Sequence, residues 1–283
     1  MTRRPWPDGK VAAVVFNVAY EAWDEGVAPG LSPMGNPLPP GVVDTQAIEW
    51  AAYGWKTGIW RLMECYARHD IKATVMASAR LAEVAPETLS ALAGAGHDVC
   101  GHSYAQNMLP VMLDEDAERE HIAQCKKLLE PLVGAPLEGW ISPRGTPSER
   151  TRRLLAESGF TWHGDAFDRD VPYVDRVGDR RIVAVPLVME VNDLPVYMRH
   201  GNPPRALYDA FSEVFRAAVD FDDAGHVDVT VHAHVFGRPF GVRILEDIIQ
   251  AVAHRDDVWV TTKTELARWT LANEVVADAE RSN

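Results

Sequence analysis

The sequence predicts an α/β fold of six to eight short strands alternating with helices, either doubly wound or, as the strand number favours, a (β/α) barrel, and three observations lead there. Short apolar runs rich in β-branched residues alternate with helix-like segments through most of the chain. No long linker and no internal repeat interrupts that alternation. Two of the runs end in histidine, at Val229-Thr-Val-His232-Ala-His234 and at Val99-Cys-Gly-His102. Barrel enzymes gather their chemistry from the carboxyl ends of strands. A single barrel domain over 1–283, with its core at about 10–270, is expected.

The elements follow in order. Lys10 to Ala19 is a continuous apolar run, the mark of a strand covered on both faces. Tyr20 to Pro40 carries Pro29, Gly30, Pro33, Gly35, Pro37, Pro39 and Pro40 and reads as a loop, and so long an irregular stretch is usually functional. Ile59, Leu62, Met63 and Tyr66 have helical spacing over Ile59 to Arg68, and Ile71 to Ala77 reads as a strand. Pro86 to Ala95 is a short helix, Val99 to His102 a strand, and Asp114 to Leu132 a long helix opening on acidic residues. Gly139 to Arg144 ends another strand; Ser148 to Ser158 is a helix with Ser148 as its cap, stopped by Gly159. Phe160 to His163 and Ile182 to Pro186 are strands, and Arg205 to Phe221 is a helix. Val227 to His232 is a strand whose continuation Gly237-Arg238-Pro239 forbids. Gly241 to His254 is helical, Val258 to Thr261 a strand, and Thr264 to Asn273 a closing helix.

Composition narrows the partners. Asp and Glu number 41 against 28 Lys and Arg, a net −13, which argues against nucleic acid or an anionic membrane and favours a small neutral substrate, or nothing in particular. No apolar run approaches the ~18 residues of a membrane span. The basic opening, Met1 to Pro7, leads into a strand without a signal-peptide pattern, so a cytoplasmic protein is expected. Cys65, Cys100 and Cys125 are odd in number and widely spaced, which fits buried reduced thiols better than disulfides or a nucleophile.

Several segments together resemble the NodB-homology, polysaccharide-deacetylase superfamily, and more narrowly its allantoinase and cyclic-imide-hydrolase branch. They are Phe16-Asn-Val-Ala-Tyr20-Glu21, Gly96-His97 to His102-Ser-Tyr104, Gly139-Trp140 with Arg144, and Gly164-Asp165 to Tyr173. Glu190-Val-Asn192-Asp193, His232 to Pro239 and Val258-Trp-Val260 follow, so the resemblance spans nearly the whole chain. It implies a distorted (β/α) barrel of about seven strands. Metal-dependent members carry an Asp base and an Asp ligand on the first strand, then two histidines four residues apart. Those positions are Asn17, Ala19, His102 and Gln106 here, which leaves His102 alone of three ligands. No tightly bound zinc is therefore expected. The allantoinase branch, as the resemblance implies, works without that metal and has Tyr-Glu where this chain has Tyr20-Glu21. Relatives in the branch form homo-oligomers.

Residue chemistry then suggests roles. Glu21, after a buried strand, suits a general base whose pKa burial would raise; the alternative is a solvated loop carboxylate. His102 suits a base, His232 an oxyanion partner, and His234 reads as a loop residue. Arg144 suits two parallel hydrogen bonds to a ureide or carboxylate, or else a salt bridge to the run Asp165 to Asp170. Tyr20, Trp140, Asp165, Asn192, Asp193 and Arg238 are the remaining substrate-binding candidates. The expected function is hydrolysis of a non-peptide carbon–nitrogen bond in a small cyclic amide, imide or ureide, or in an N-acetyl group, without a metal. Two rivals stand beside it: a metal-dependent sugar N-deacetylase with ligands rebuilt from Glu21, His102 and His232, and a catalytically silent carbohydrate-binding barrel.

Overall fold

In the first strand, β1 (Ala12–Tyr20), alternate side chains enter different hydrophobic clusters: Val14, Phe16, Val18 and Tyr20 one, Ala13, Val15 and Ala19 the other. Burial on both faces explains why the run is apolar at every position but Asn17 and the tyrosine hydroxyl. The computed structural model describes residues 6–34, 38–39, 41–221 and 225–273. Residues 1–5 of the basic opening and Gly35, Pro37 and Pro40 of the early loop lie outside them.

Eight further strands follow among these residues: β2 (Thr74–Ala77), β3 (Asp98–Gly101), β4 (Gly139–Trp140), β5 (Trp162–His163), β6 (Tyr173–Val177), β7 (Arg180–Ala184), β8 (His226–His232) and β9 (Val258–Thr261). They form one curled sheet in the order β6-β7-β5-β4-β3-β2-β1-β8, with β9 paired to the first half of β1. Every pairing is parallel except the β6–β7 hairpin. The result is the distorted barrel the sequence predicts, with β6 as a strand the pattern did not show. Half of that strand is solvated, so its apolar run is short.

The helices are α1 (Thr45–Tyr53), α2 (Ile59–Arg68), α3 (Leu81–Val84), α4 (Pro86–Gly94), α5 (Glu115–Val133), α6 (Thr151–Glu157), α7 (Ala206–Asp220), α8 (Pro239–Val252) and α9 (Lys263–Ala272). Their limits follow local chemistry. Asp114 accepts from the Ala117 amide at 2.9 Å to start α5, and Gly134, at φ 76°, ends it. Pro239 opens α8, where its missing N–H costs nothing. Ser148 Oγ accepts from the Thr151 amide at 3.2 Å, ahead of α6. Most helices pack on the outer cluster, whereas α9 sends Leu266 and Ala267 to the inner one with Ala13 and Val15. Lys263, fully buried, reaches Asp228 of β8 at 3.0 Å, and Asp228 also accepts from Asn17 at 2.6 Å. All three cysteines are buried free thiols. No helix among the described residues is long and apolar enough to cross a membrane.

Candidate active site

The inward parity of β1, which passes through Asn17 and Ala19, continues to Glu21 just beyond the strand. His102 follows β3, and His232 closes β8, where it pairs in register with Ala19. These three ends converge. Glu21 Oε1 lies 3.4 Å from His102 Nε2 and 3.7 Å from His232 Nε2. On the other side Glu21 Oε2 lies 3.8 Å from His234 Nδ1. All four side chains are buried.

Each imidazole is fixed from behind. His102 Nδ1 donates to the Ile141 carbonyl at 2.7 Å, which leaves Nε2 turned to Glu21. His232 Nδ1 donates to Asp193 Oδ1 at 2.6 Å, and the His232 amide donates to Asp193 Oδ2 at 2.8 Å. Asp193 is brought there by the stretch after Met189–Val191, which the Asn192–Thr230 bridge ties to β8. The His234 ring meets Trp23 and Trp50 edge-on, with centroids 5.5 and 4.7 Å away.

The charges follow from this packing. Burial disfavours an ionised Glu21, yet His232, His102 and His234 together outweigh it and hold the carboxyl well below the usual range. Burial likewise opposes a charged His232, but Asp193 foremost and then Glu21 push it up to about 9. Burial lifts Asp193 above the usual carboxylate range against the pull of that imidazolium, and we place the shared proton on nitrogen. Burial keeps His234 neutral, pulled down to about 3. The cluster is thus a carboxylate and an imidazolium held by a second carboxylate. The expectation that burial would raise the Glu21 pKa is corrected: three histidines around one carboxylate reverse the sign.

Of the other sequence candidates, Arg144 and Asn192 line the cavity over this cluster, with Thr230, Ser142 and an apolar wall that includes Met76, Ile141 and Leu194. That cavity measures about 130 Å³, and an adjoining one of about 290 Å³ shares Glu21, Arg144, Leu194 and Arg199 with it. Arg144 makes no ion pair to the Asp165 to Asp170 run among the described residues, and Asp165 instead accepts from the Ser142 amide and hydroxyl at 2.8 and 2.6 Å. Tyr20 points away from the site, because alternation turns it opposite to Glu21; its hydroxyl bonds Thr88 at 2.6 Å. Trp140 is core, packed edge-on against Phe160 and filling the space beside Gly101. Arg238 stacks over Tyr53 at 4.0 Å and donates to the His234 carbonyl, away from Glu21. His234, assigned to a loop by its place after the strand, belongs in the cluster. A turn from His232 to Gly237 brings its ring back, a shape that strand alternation cannot show.

The superfamily's metal site does not fit these residues. Ala19 offers no donor atom, and the Gln106 amide nitrogen is turned to Ser78 Oγ at 3.1 Å and to the His102 carbonyl at 3.4 Å. In the rebuilt set, His232 Nδ1 is already taken by Asp193 at 2.6 Å, and Nε2, 3.7 Å from Glu21, is the ring nitrogen left facing it. Among the described residues no group of three or more His, Cys, Asp or Glu is disposed to hold a metal ion.

A chain of this fold has known counterparts. Residues 52–163 match the family model described as polysaccharide deacetylase. A putative polysaccharide deacetylase from Schizosaccharomyces pombe is 26% identical, covering 93% of this chain and 91% of that protein. The crystal structure of a probable polysaccharide deacetylase from Pseudomonas aeruginosa superposes with a TM-score of 0.88 at 26% identity, covering 97% of this chain and 96% of the other. That of the PuuE allantoinase superposes at 0.86 and 25%, covering 97% and 95%. Residues 52–163 thus carry a polysaccharide-deacetylase domain, and polysaccharide deacetylases and an allantoinase stand among the structural neighbours of the chain.

Proposed function

We propose that this chain hydrolyses a non-peptide carbon–nitrogen bond in a small cyclic amide, imide or ureide, or in an N-acetyl group, without a bound metal. The observation that carries the reading is the convergence of Glu21, His102 and the Asp193-held His232 on one small cavity. A water between Glu21 and His102 gives its proton to His102 Nε2, and the hydroxide oxygen bonds to the carbonyl carbon. Glu21, ionised throughout, holds the water and balances the charge that develops on His102. The carbonyl oxygen becomes an oxyanion facing the His232 imidazolium. The carbon–nitrogen bond then breaks as the leaving nitrogen takes the proton back from His102 Nε2. Asp193 acts through His232: it fixes the tautomer and keeps the ring charged.

Purified protein assayed on hydantoin, allantoin and chitin oligomers tests this reading. Turnover of the cyclic ureides is expected; failure on both classes of substrate makes the barrel a binding module.

A further inference from the structure

Two guanidinium groups stand over the cluster without a partner. Arg144 and Arg199 line both cavities around Glu21, and neither makes an ion pair or side-chain hydrogen bond among the described residues. That is unusual in a chain of net charge −13, where most other arginines are matched: Arg68 to Glu246, Arg153 to Glu115, Arg205 to Asp247. The backbone holds one of the two in place. Arg144 has φ 57°, a left-handed conformation rare for a side chain of its size, and Gly145 follows at φ 60°. Gly145 also lies against Phe167, where a Cβ would come within 2.6 Å of the ring. The turn is therefore set by packing, and Gly30 crosses over the guanidinium, a Cβ there lying 3.6 Å from Nη2. Arg199 arrives from the other side, at the end of the wide turn Leu194–Arg199 that follows Asp193.

We infer that Arg144 and Arg199 form a clamp for a carboxylate, so that the substrate is an anionic amide or ureide carrying a carboxylate beside the ring or group that is cut. This rests on the hydrolytic reading above and specifies its substrate. The electrostatics assign the orientation. Ionised Glu21 repels the carboxylate from the histidine end and leaves the neutral carbonyl to enter it. The guanidiniums are planar forks that match a carboxylate by paired hydrogen bonds, and an exposed one without an acid gains most from a ligand that supplies it.

The test is equilibrium binding, so it does not depend on turnover. Hydantoin-5-acetic acid and its neutral amide, nearly the same in shape, are titrated into the full chain by calorimetry at pH 7.5. The acid should bind about 10- to 100-fold more tightly than the amide, the worth of a charge-assisted hydrogen bond. In Arg199→Gln and in Arg144→Gln the preference should fall by at least about tenfold, and Arg199→Lys should restore part of it. In the parent, 0.5 M NaCl should shrink it. Equal binding of acid and amide, a preference unchanged in both variants, or no binding of either overturns the clamp. Binding with the expected preference but no hydrolysis of either compound keeps the clamp and refutes the hydrolytic reading instead.

Discussion

Replacing Asp193 by Asn removes one negative charge and keeps the shape. In the parent, the gap between about 9 and the ordinary 6.5 corresponds to about 3 kcal/mol in favour of the protonated His232 ring. Asp193 supplies the largest share, through a 2.6 Å bond, and Glu21 at 3.7 Å supplies the rest. With Asn there, burial has only Glu21 against it, and the ring titrates near or below 6.5. At pH 7.5 the charged fraction then drops from more than nine-tenths to about one-tenth. That alone costs about tenfold in kcat/KM, and the lost acceptor for Nδ1 brings the total to on the order of 10²–10³, within the usual span of a general acid–base or oxyanion contribution. The assay is a pH profile of kcat/KM on whichever cyclic ureide the parent hydrolyses. The parent should lose activity as pH rises through about 9, and Asp193→Asn should lose it below about 7. An alkaline limb at the same pH in both, with rates within threefold, would show that the charge on His232 plays no part.

Other outcomes follow from the same geometry. Glu21→Gln and His102→Ala should each lower turnover by on the order of 10²–10⁴ with little change in melting temperature; parent-level rates in both would move the proton transfer elsewhere, with Asp165 next to be tested. Elemental analysis should find no stoichiometric zinc, and dialysis against EDTA should leave turnover intact; one equivalent held by His102 would favour a deacetylase with rebuilt ligands. Stability should fall from pH 6.5 to 9.5, because His232 binds its proton more tightly in the folded chain and that contribution is lost as pH rises through about 9. Urea unfolding should register a decline of about 1–3 kcal/mol, and a flat curve would contradict the ion pair. Gly58→Ala puts a Cβ 2.0 Å from the Ala233 carbonyl, in the turn that carries His232 and His234, so it should cost about 3 kcal/mol or more, read by thermal unfolding.

Much of the barrel was legible because its central strands are buried on both faces and because some helices mark their ends, α5 by Asp114 and Gly134 and α8 by Pro239. Ile59–Arg68 was readable to the residue. Glu21, His102 and His232 were visible as polar groups breaking apolar runs at strand ends. Period-two alternation, applied strictly, also separates Tyr20 from Glu21 and would have turned the tyrosine toward the helices. Trp140 was harder, since only its neighbours, Gly101 and Phe160, reveal that its ring fills the core. His234 and Arg199 owe their places to turns, which no periodicity encodes. The sign of the Glu21 shift needed the number of histidines around it, a three-dimensional fact.

The buried pair of Lys263 and Asp228 ties the site to a helix on the far side of the sheet's sequence. Asp228 lies on the strand that presents His232, it also holds Asn17 on the strand that leads to Glu21, and its counter-charge comes from a helix some 35 residues further on. Until α9 docks, that interior carboxylate has no cation, and an uncompensated buried charge costs about 3–5 kcal/mol. Docking of α9 therefore stabilises the packing of the two strands that bear the reacting groups.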